Sequence, residues 1–432
     1  MIVLLWVAGG ASRADAMGQV VVRAGCWAIL IAAIVAGPRP VLTGLKPVLF
    51  LLIAAIALPL IQIIPLPPAW WQALPGRDIL LIPGEPVPWR PWTMTPGATR
   101  NALASLVVPV TLFVVLAQAN ERVFRWLPTM LLVIIVAAVL LGLLQFSGAG
   151  FNSPLLNDTP GVVSSIFANR NHFALFVAMG CLIAPAWAFM DREALHWRGP
   201  IAAGLVVLFV LTILSTGSRS GMLLGAAAPA LGLALVGKRL RRRLAGAPRW
   251  VLPTLILAAV VVIGGAVALS FAADRADSIN RLIALETGED MRSRARPTVL
   301  AMIALYMPFG SGLGGFDPVF RIHEPFALLK PTYFNQAHND FLGIALDAGI
   351  AGAALLAAGV IWWLVASIRV WRARPDEAVQ LARLGSALIL LVLLASATDY
   401  PARSPTMMAI LVVAGVLLAR GGRASDRAAL PS

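Results

Sequence analysis

His338 and three arginines stand out for the positions the chain gives them. His338 lies in Asn335-Gln336-Ala337-His338-Asn339-Asp340, immediately before apolar sequence resumes. An imidazole ionises near neutrality and suits proton transfer with a substrate hydroxyl. Arg170 lies in Phe167-Ala168-Asn169-Arg170-Asn171-His172-Phe173, Arg219 in Ser215-Thr216-Gly217-Ser218-Arg219-Ser220-Gly221, and Arg403 in Asp399-Tyr400-Pro401-Ala402-Arg403. Arg170 and Arg219 each open an apolar run of helical length. A helix N-terminus presents free N–H groups and the positive end of its dipole, so a guanidinium there adds to a site suited to phosphate. Ser218 and Ser220 supply hydroxyl donors, and Gly221 permits close backbone approach. Each residue also has a plainer reading. The arginines could snorkel to lipid headgroups or pair with Asp399. His338 could cap a helix or close a turn, with Asn339 and Asp340 as ordinary helix-start residues. His172 is in reach of supporting Arg170, His196 falls at the opposite membrane face, and His323 has no assigned role.

The elements that must hold these residues follow from composition. At 59% hydrophobic and 12% charged, the chain is far more apolar than a soluble domain. Runs such as 131–144 and 250–269 reach or approach the ~20 residues that a helix needs to cross a bilayer. Lipid forbids open sheets. The expected fold is therefore all-α: a polytopic membrane protein of about 12 transmembrane helices with one long outer loop containing short helices. Apolar segments fall at about 1–10, 20–37, 48–66, 101–118, 126–147, 171–190, 200–215, 220–236, 250–272, 341–368, 384–398 and 404–419. The first is too short to span. Either the chain starts further upstream or the first helix is a fragment, and the former is preferred; no signal-peptide pattern accompanies it. The organisation reads as 1–272, nine transmembrane helices; 273–340, a catalytic loop; and 341–432, three further helices and a tail.

Basic residues orient the bundle. Arg39 and Lys46, Arg122 and Arg125, Arg192 and Arg198, Lys238-Arg239-Leu240-Arg241-Arg242-Arg243, Arg369 to Arg383, and the tail arginines occupy alternate loops. The positive-inside rule makes that set cytoplasmic, with both termini inside and the long loop outside. This also accounts for the net charge of +14 without nucleic acid. Trp70, Trp71, Trp89 and Trp92 in the outer interval, and Trp126, Trp197, Trp250 and Trp371 at inner ends, read as interfacial anchors. The Pro-rich interval 65–96 should lie along the outer surface without long helices. Against this topology Arg170, Arg219 and Arg403 are on the wrong side, which is what makes them informative.

The loop itself has structure in its sequence. Thr298, Val299, Met302, Ile303 and Leu305 carry a helical pattern, and Gly310-Ser311-Gly312-Leu313-Gly314-Gly315-Phe316 is a glycine cluster. The cluster reads as a turn, because no strand precedes it and no Lys-Ser/Thr follows, as a nucleotide loop requires. No His, Cys or Asp spacing suggests a metal site. Cys26 and Cys181 fall at different depths, so no disulfide is expected.

Taken in order, Asn169-Arg170-Asn171-His172-Phe173, Ser215-Thr216-Gly217-Ser218-Arg219-Ser220-Gly221, Arg292, Pro308-Phe309-Gly310-Ser311-Gly312-Leu313-Gly314-Gly315-Phe316, Ala337-His338-Asn339-Asp340-Phe341 and Asp347-Ala348-Gly349 resemble the motifs of the O-antigen ligase and polymerase superfamily, over about 100–400. The resemblance implies metal-free, cofactor-free transfer of a glycan from an undecaprenyl diphosphate carrier in the bacterial inner membrane, on the periplasmic side. The acceptor would be lipid A core, another lipid-linked glycan or a protein. It implies that Arg170, Arg219 and Arg292 hold the diphosphate and that His338 is the catalytic residue, with Asn169, His172, Ser218, Ser220, Asn339, Asp340 and Arg403 in support. Arg296 departs from the pattern, standing where the family often has an aromatic. Both readings converge on inverting transfer with His338 as general base. The competing class is a transporter or flippase of a lipid-linked or anionic substrate. Paired short or broken segments in the two halves would favour it, and none is evident in the sequence.

Overall fold

The computed structural model describes residues 1–148, 153–157, 161–190, 194–245, 291–329 and 334–429, with 248, 250, 253, 254 and 257. Its helices are α1 (Ile2–Ala8), α2 (Met17–Ala36), α3 (Lys46–Ile63), α4 (Pro68–Gln72), α5 (Pro96–Ser105), α6 (Val107–Ala117), α7 (Glu121–Phe146), α8 (Arg170–Ala188), α9 (Leu195–Ser215), α10 (Arg219–Leu244), α11 (Met291–Tyr306), α12 (Phe316–His323), α13 (Asp340–Arg372), α14 (Glu377–Ser396) and α15 (Pro405–Ala429). Nine helices among the described residues are long and apolar enough to cross a membrane, with α5 and α6 forming one such span. The apolar part of α15, Pro405–Gly421, is shorter than these nine. The protein is an all-α polytopic membrane protein. The first apolar segment is the short α1, packed against α2 and α15. The expected span at 250–272 and the first part of the long loop, 273–290, lie almost wholly outside the described residues.

A helix that is apolar all round can face lipid or be enclosed by other helices, and α8 is enclosed. Its apolar window is 83% buried, against 22% for α9. It is gripped by α7, α9, α10 and α14. Gly221 lets α10 close on it, since a Cβ there would sit 2.4 Å from that of Ala174. Hydrogen bonds among residues 169, 171, 218, 338 and 399 gather the ends of α8, α10, α13 and α14 at one end of the bundle. At the opposite end Arg239, within the basic run, donates to Phe189 O and Gln380 Oε1.

The loop before α13 has its own core. Val299 and Met302 of α11, Phe316 and Phe320 of α12, and Phe334 pack on Leu346 of α13. Of the expected helical pattern, Val299 and Met302 are buried while Leu305 is exposed. The loop is therefore docked onto a membrane-spanning helix by aromatic and aliphatic burial, which fixes its last residues relative to the bundle.

The glycine cluster is a turn, and it occupies a break in α13 that the sequence does not announce. Gly349 has φ +55° and ψ −141°, outside the helical region. Such a break frees carbonyls that water cannot reach in a membrane. The turn satisfies them: Ser311 N donates to Leu346 O and Gly312 N to Asp347 O, both at 2.9 Å, while Ile350 N donates to Pro308 O. This break in a hydrophobic segment is filled by protein backbone. Because a Cβ at Gly349 would lie 2.0 Å from Pro308 O, at a positive φ, Gly349→Ala should destabilise the protein by more than about 1 kcal/mol. A clearly lower apparent unfolding temperature in detergent is the expected result; unfolding at the wild-type temperature would show that the turn does not depend on that contact.

The Pro-rich interval contains α4, a single 3₁₀ turn (Asp78–Leu80) and a two-residue antiparallel ladder between β1 (Pro65–Leu66) and β2 (Arg90–Pro91). It is more tightly packed than a surface strap. Trp70 and Trp89 are exposed as anchors should be, but Trp71 is buried, its Nε1–H donating to Pro91 O at 3.0 Å. Arg77, also buried, donates to Trp92 O and Gly310 O, tying the interval to the glycine turn.

Candidate active site

At the gathered end of the bundle the helix ends are built to hold charge. Asn169 caps α8, its Oδ1 accepting from Asn171 N at 2.8 Å. Ser218 does the same for α10, its Oγ accepting from Gly221 N at 2.9 Å. Both caps leave the following arginine, Arg170 and Arg219, at the first helical position. Ser218 Oγ–H also donates to Asn171 Oδ1 at 2.7 Å, so the two N-termini are locked side by side.

These ends open onto a cavity of about 1120 Å³. That exceeds the ~300–1,000 Å³ of ordinary small-molecule pockets. Arg170, Arg219, Arg292, Arg296, Ser220, His338 and Asn339 line it, and no carboxylate does so among the described residues. Four guanidiniums around one cavity make a site for an anion with more than one charge.

His338 is held at its rim under strain. Its backbone has φ +48°, unusual for a residue other than glycine. Its ring packs against Phe334 and Tyr400, and Nδ1 lies 3.2 Å from Asp399 Oδ1. A carboxylate only accepts, so Nδ1 carries the proton and Nε2 is left as the basic nitrogen. Asp399 is saturated with donors. Oδ1 also accepts from Tyr400 N, while Oδ2 accepts from Asn169 Nδ2 at 3.0 Å and Asn171 Nδ2 at 2.5 Å, with Arg292 at 3.8 Å. Burial alone would raise its pKa, but the His338 hydrogen bond and nearby positive charge, Arg292 included, outweigh that and hold it well below the usual carboxylate range. Asp399 is thus a fixed negative charge that orients His338 and joins it to the α8 cap.

Over residues 204–357 the chain matches the O-antigen ligase family. This match supports the O-antigen ligase superfamily. No curated relative matches it. The matched O-antigen ligase region runs from α9 into α13 and so contains Arg219, Arg292 and His338, whereas Arg170 and Asp399 lie outside it.

The expected site residues separate into two groups. Arg170, Arg219, Arg292, Ser220, His338 and Asn339 line the arginine cavity, with Asn169 and Ser218 directly behind them. His172 is buried beneath, 3.5 Å from Asn169 Nδ2 and edge-on to Tyr400. Asp340 and Arg403 face away. Arg403 donates to Asp347 Oδ2 at 3.1 Å and lies 3.8 Å from Asp340, whose Oδ2 accepts from Ser396 Oγ and Ala402 N. Asn339, not His338, caps α13, its Oδ1 accepting from Leu342 N at 3.0 Å. His323 receives a structural place: Nε2 is 2.7 Å from the Tyr306 hydroxyl, whose pKa burial pushes up to about 12.

Asp399 as the partner of His338 was not expected, nor was Asn171 as its anchor or Arg296 as a fourth lining guanidinium. A signal for Asp399 exists. α13 leaves from residue 340 and α14 returns after a short link, so 397–403 must come back beside 335–340.

Proposed function

We propose that this O-antigen ligase or polymerase-type membrane glycosyltransferase moves a glycan from an undecaprenyl-diphosphate carrier to an acceptor hydroxyl. The reaction would take place on the periplasmic side of the bacterial inner membrane, with both termini in the cytoplasm and no metal ion. The observation that carries the reading is the meeting of His338, backed by Asp399, with Arg170, Arg219, Arg292 and Arg296 around one cavity. The anomeric carbon of such a donor already bears a diphosphate leaving group. What remains is to stabilise the charge that develops on that group and to activate the acceptor. The acceptor O–H gives its proton to His338 Nε2 as its oxygen bonds to the anomeric carbon. The carbon–oxygen bond to the diphosphate breaks, and the carrier diphosphate leaves onto the guanidiniums with inversion at carbon.

Purified protein given an undecaprenyl-diphosphate glycan and candidate acceptors should form the transferred product and release undecaprenyl diphosphate. Arg170→Ala and Arg219→Ala should each weaken carrier binding and transfer together, by about tenfold or more. Arg→Lys should restore part only, because an ammonium cannot make the planar two-pronged contact. Movement of the intact lipid-linked glycan across vesicle bilayers, with no transfer to any acceptor, would instead make the protein a transporter.

A further inference from the structure

The segment carrying His338 is a partition. His338 and Asn339 line the arginine cavity, whereas Gln336 and Asp340 line a second one of about 410 Å³, among α2, α3, α5, α13 and the 401–403 turn. Arg23, Asn101, Gln336 and Arg403 give this second chamber its polar lining, with Arg23 and Asn101 in direct contact. It adjoins an apolar slot of about 400 Å³ along α3, α13, α14 and α15, with Ala55, Leu106, Ile344, Leu355 and Met408 common to both.

Arg23 defines what the chamber can take. It stands on a membrane-spanning helix, where an unneutralised cation is costly. Its Nη1 donates to Asn101 Oδ1 at 2.5 Å and its Nη2 to Gln19 Oε1 at 3.5 Å, both neutral amides. Its Nε–H is buried without a hydrogen-bond partner, as is the amide oxygen of Gln336. Arg403 differs, being balanced by Asp347 and Asp340. Asp340 faces the chamber, but its Oδ2 is engaged by Ser396 and Ala402. The chamber therefore offers one uncompensated guanidinium, one unmet acceptor and an apolar exit into the membrane.

We infer that this is a second lipid site, for an amphiphile whose head carries both a phosphate and hydroxyls. The phosphate meets Arg23, a head hydroxyl donates to Gln336, and a hydrocarbon chain lies in the slot. The site is separate from the arginine cavity, and its head end is two residues from His338 along the chain. Binding here does not depend on the transfer reaction, so the two ideas fail separately.

Phosphatidylglycerol has such a head and phosphatidylcholine does not. Full-length protein taken from phosphatidylcholine vesicles doped with phosphatidylglycerol should, by native mass spectrometry, retain bound phosphatidylglycerol. Arg23→Gln should lower that retention about tenfold. Gly359→Phe should lower it too by filling the slot. The nearest atom to a Cβ there, Leu51 Cδ2, is 3.9 Å away, so the ring can enter without moving backbone. Arg219→Ala should leave retention unchanged. Wild-type retention in either of the first two variants would mean lipid bound only around the protein's perimeter, and a loss confined to Arg219→Ala would put the anion in the arginine cavity; either result overturns the site.

Discussion

Replacing His338 with alanine should leave a folded protein that still binds the carrier, while transfer falls by roughly 10²–10⁴-fold, the range for a positioned acid or base. The reason is a division of labour. Asn339 caps α13, so His338 is not needed to start that helix. The arginines that would hold the diphosphate stand on α8, α10 and α11 and do not touch the imidazole's role as base. Alanine is less at ease than histidine at φ +48°, at a cost of about 1–2 kcal/mol. His338→Asn is therefore the companion variant: it tolerates that conformation but cannot act as a base. Both should lose transfer alike, with carrier affinity measured directly and unfolding followed in parallel. Near wild-type transfer in either variant removes His338 from the chemistry. Loss of carrier binding in both would make it a phosphate ligand, and Asp340, buried and turned toward the other chamber, is badly placed to replace it as base.

The membrane-spanning helices were legible because hydropathy is a local property that survives in any tertiary context. Arg170 and Arg219 were legible for a related reason: a charge at the wrong end of a span violates a one-dimensional rule. Arg403 broke the same rule, yet the structure gives it a different task, balancing Asp340 and Asp347 beside the break in α13. Position along the membrane normal is written in the sequence; the direction a side chain takes around the helix end is not. The same holds for the tryptophans, where Trp70 and Trp89 are exposed but Trp71, between them in sequence, is buried against Pro91. The break at Gly349 was hidden because a glycine in an apolar helix has many uses. Only the donor groups of residues 310–315, more than thirty positions earlier, make it a broken helix. The plainer reading of the sequence offers Asp399 as a counter-ion for arginine, and Arg292 does approach it, but its short contacts are to His338, Tyr400 N and two asparagines. That choice depends on how α14 returns beside the loop, a fact of packing rather than of composition.

Asp399→Asn gives the second large effect, and it separates orientation from structure. Every hydrogen bond of the Asp399 carboxylate is one it accepts: His338 Nδ1 and Tyr400 N on Oδ1, Asn169 and Asn171 on Oδ2. An asparagine must turn its NH₂ toward one of those pairs. Toward Oδ1, it drives the proton of His338 from Nδ1 to Nε2 and abolishes the basic nitrogen facing substrate. Toward Oδ2, it parts the α8 cap from the histidine and removes the charge that stabilises the imidazolium formed during transfer. By either route transfer should fall by about 10²–10⁴-fold, on the scale seen when a carboxylate that orients a catalytic histidine is replaced by its amide. Carrier binding should move the other way or not at all, because a negative charge beside a cationic cavity has been deleted. A merely structural aspartate would lower binding and turnover together. The deciding readout is the tautomer of His338, read from its ring nitrogen shifts: protonated at Nδ1 in the wild type and shifted toward Nε2 in the variant. An unchanged tautomer combined with wild-type transfer would show that His338 needs no partner at Nδ1, and the contact at 3.2 Å would then be no more than a tie between the loop and the α14–α15 turn.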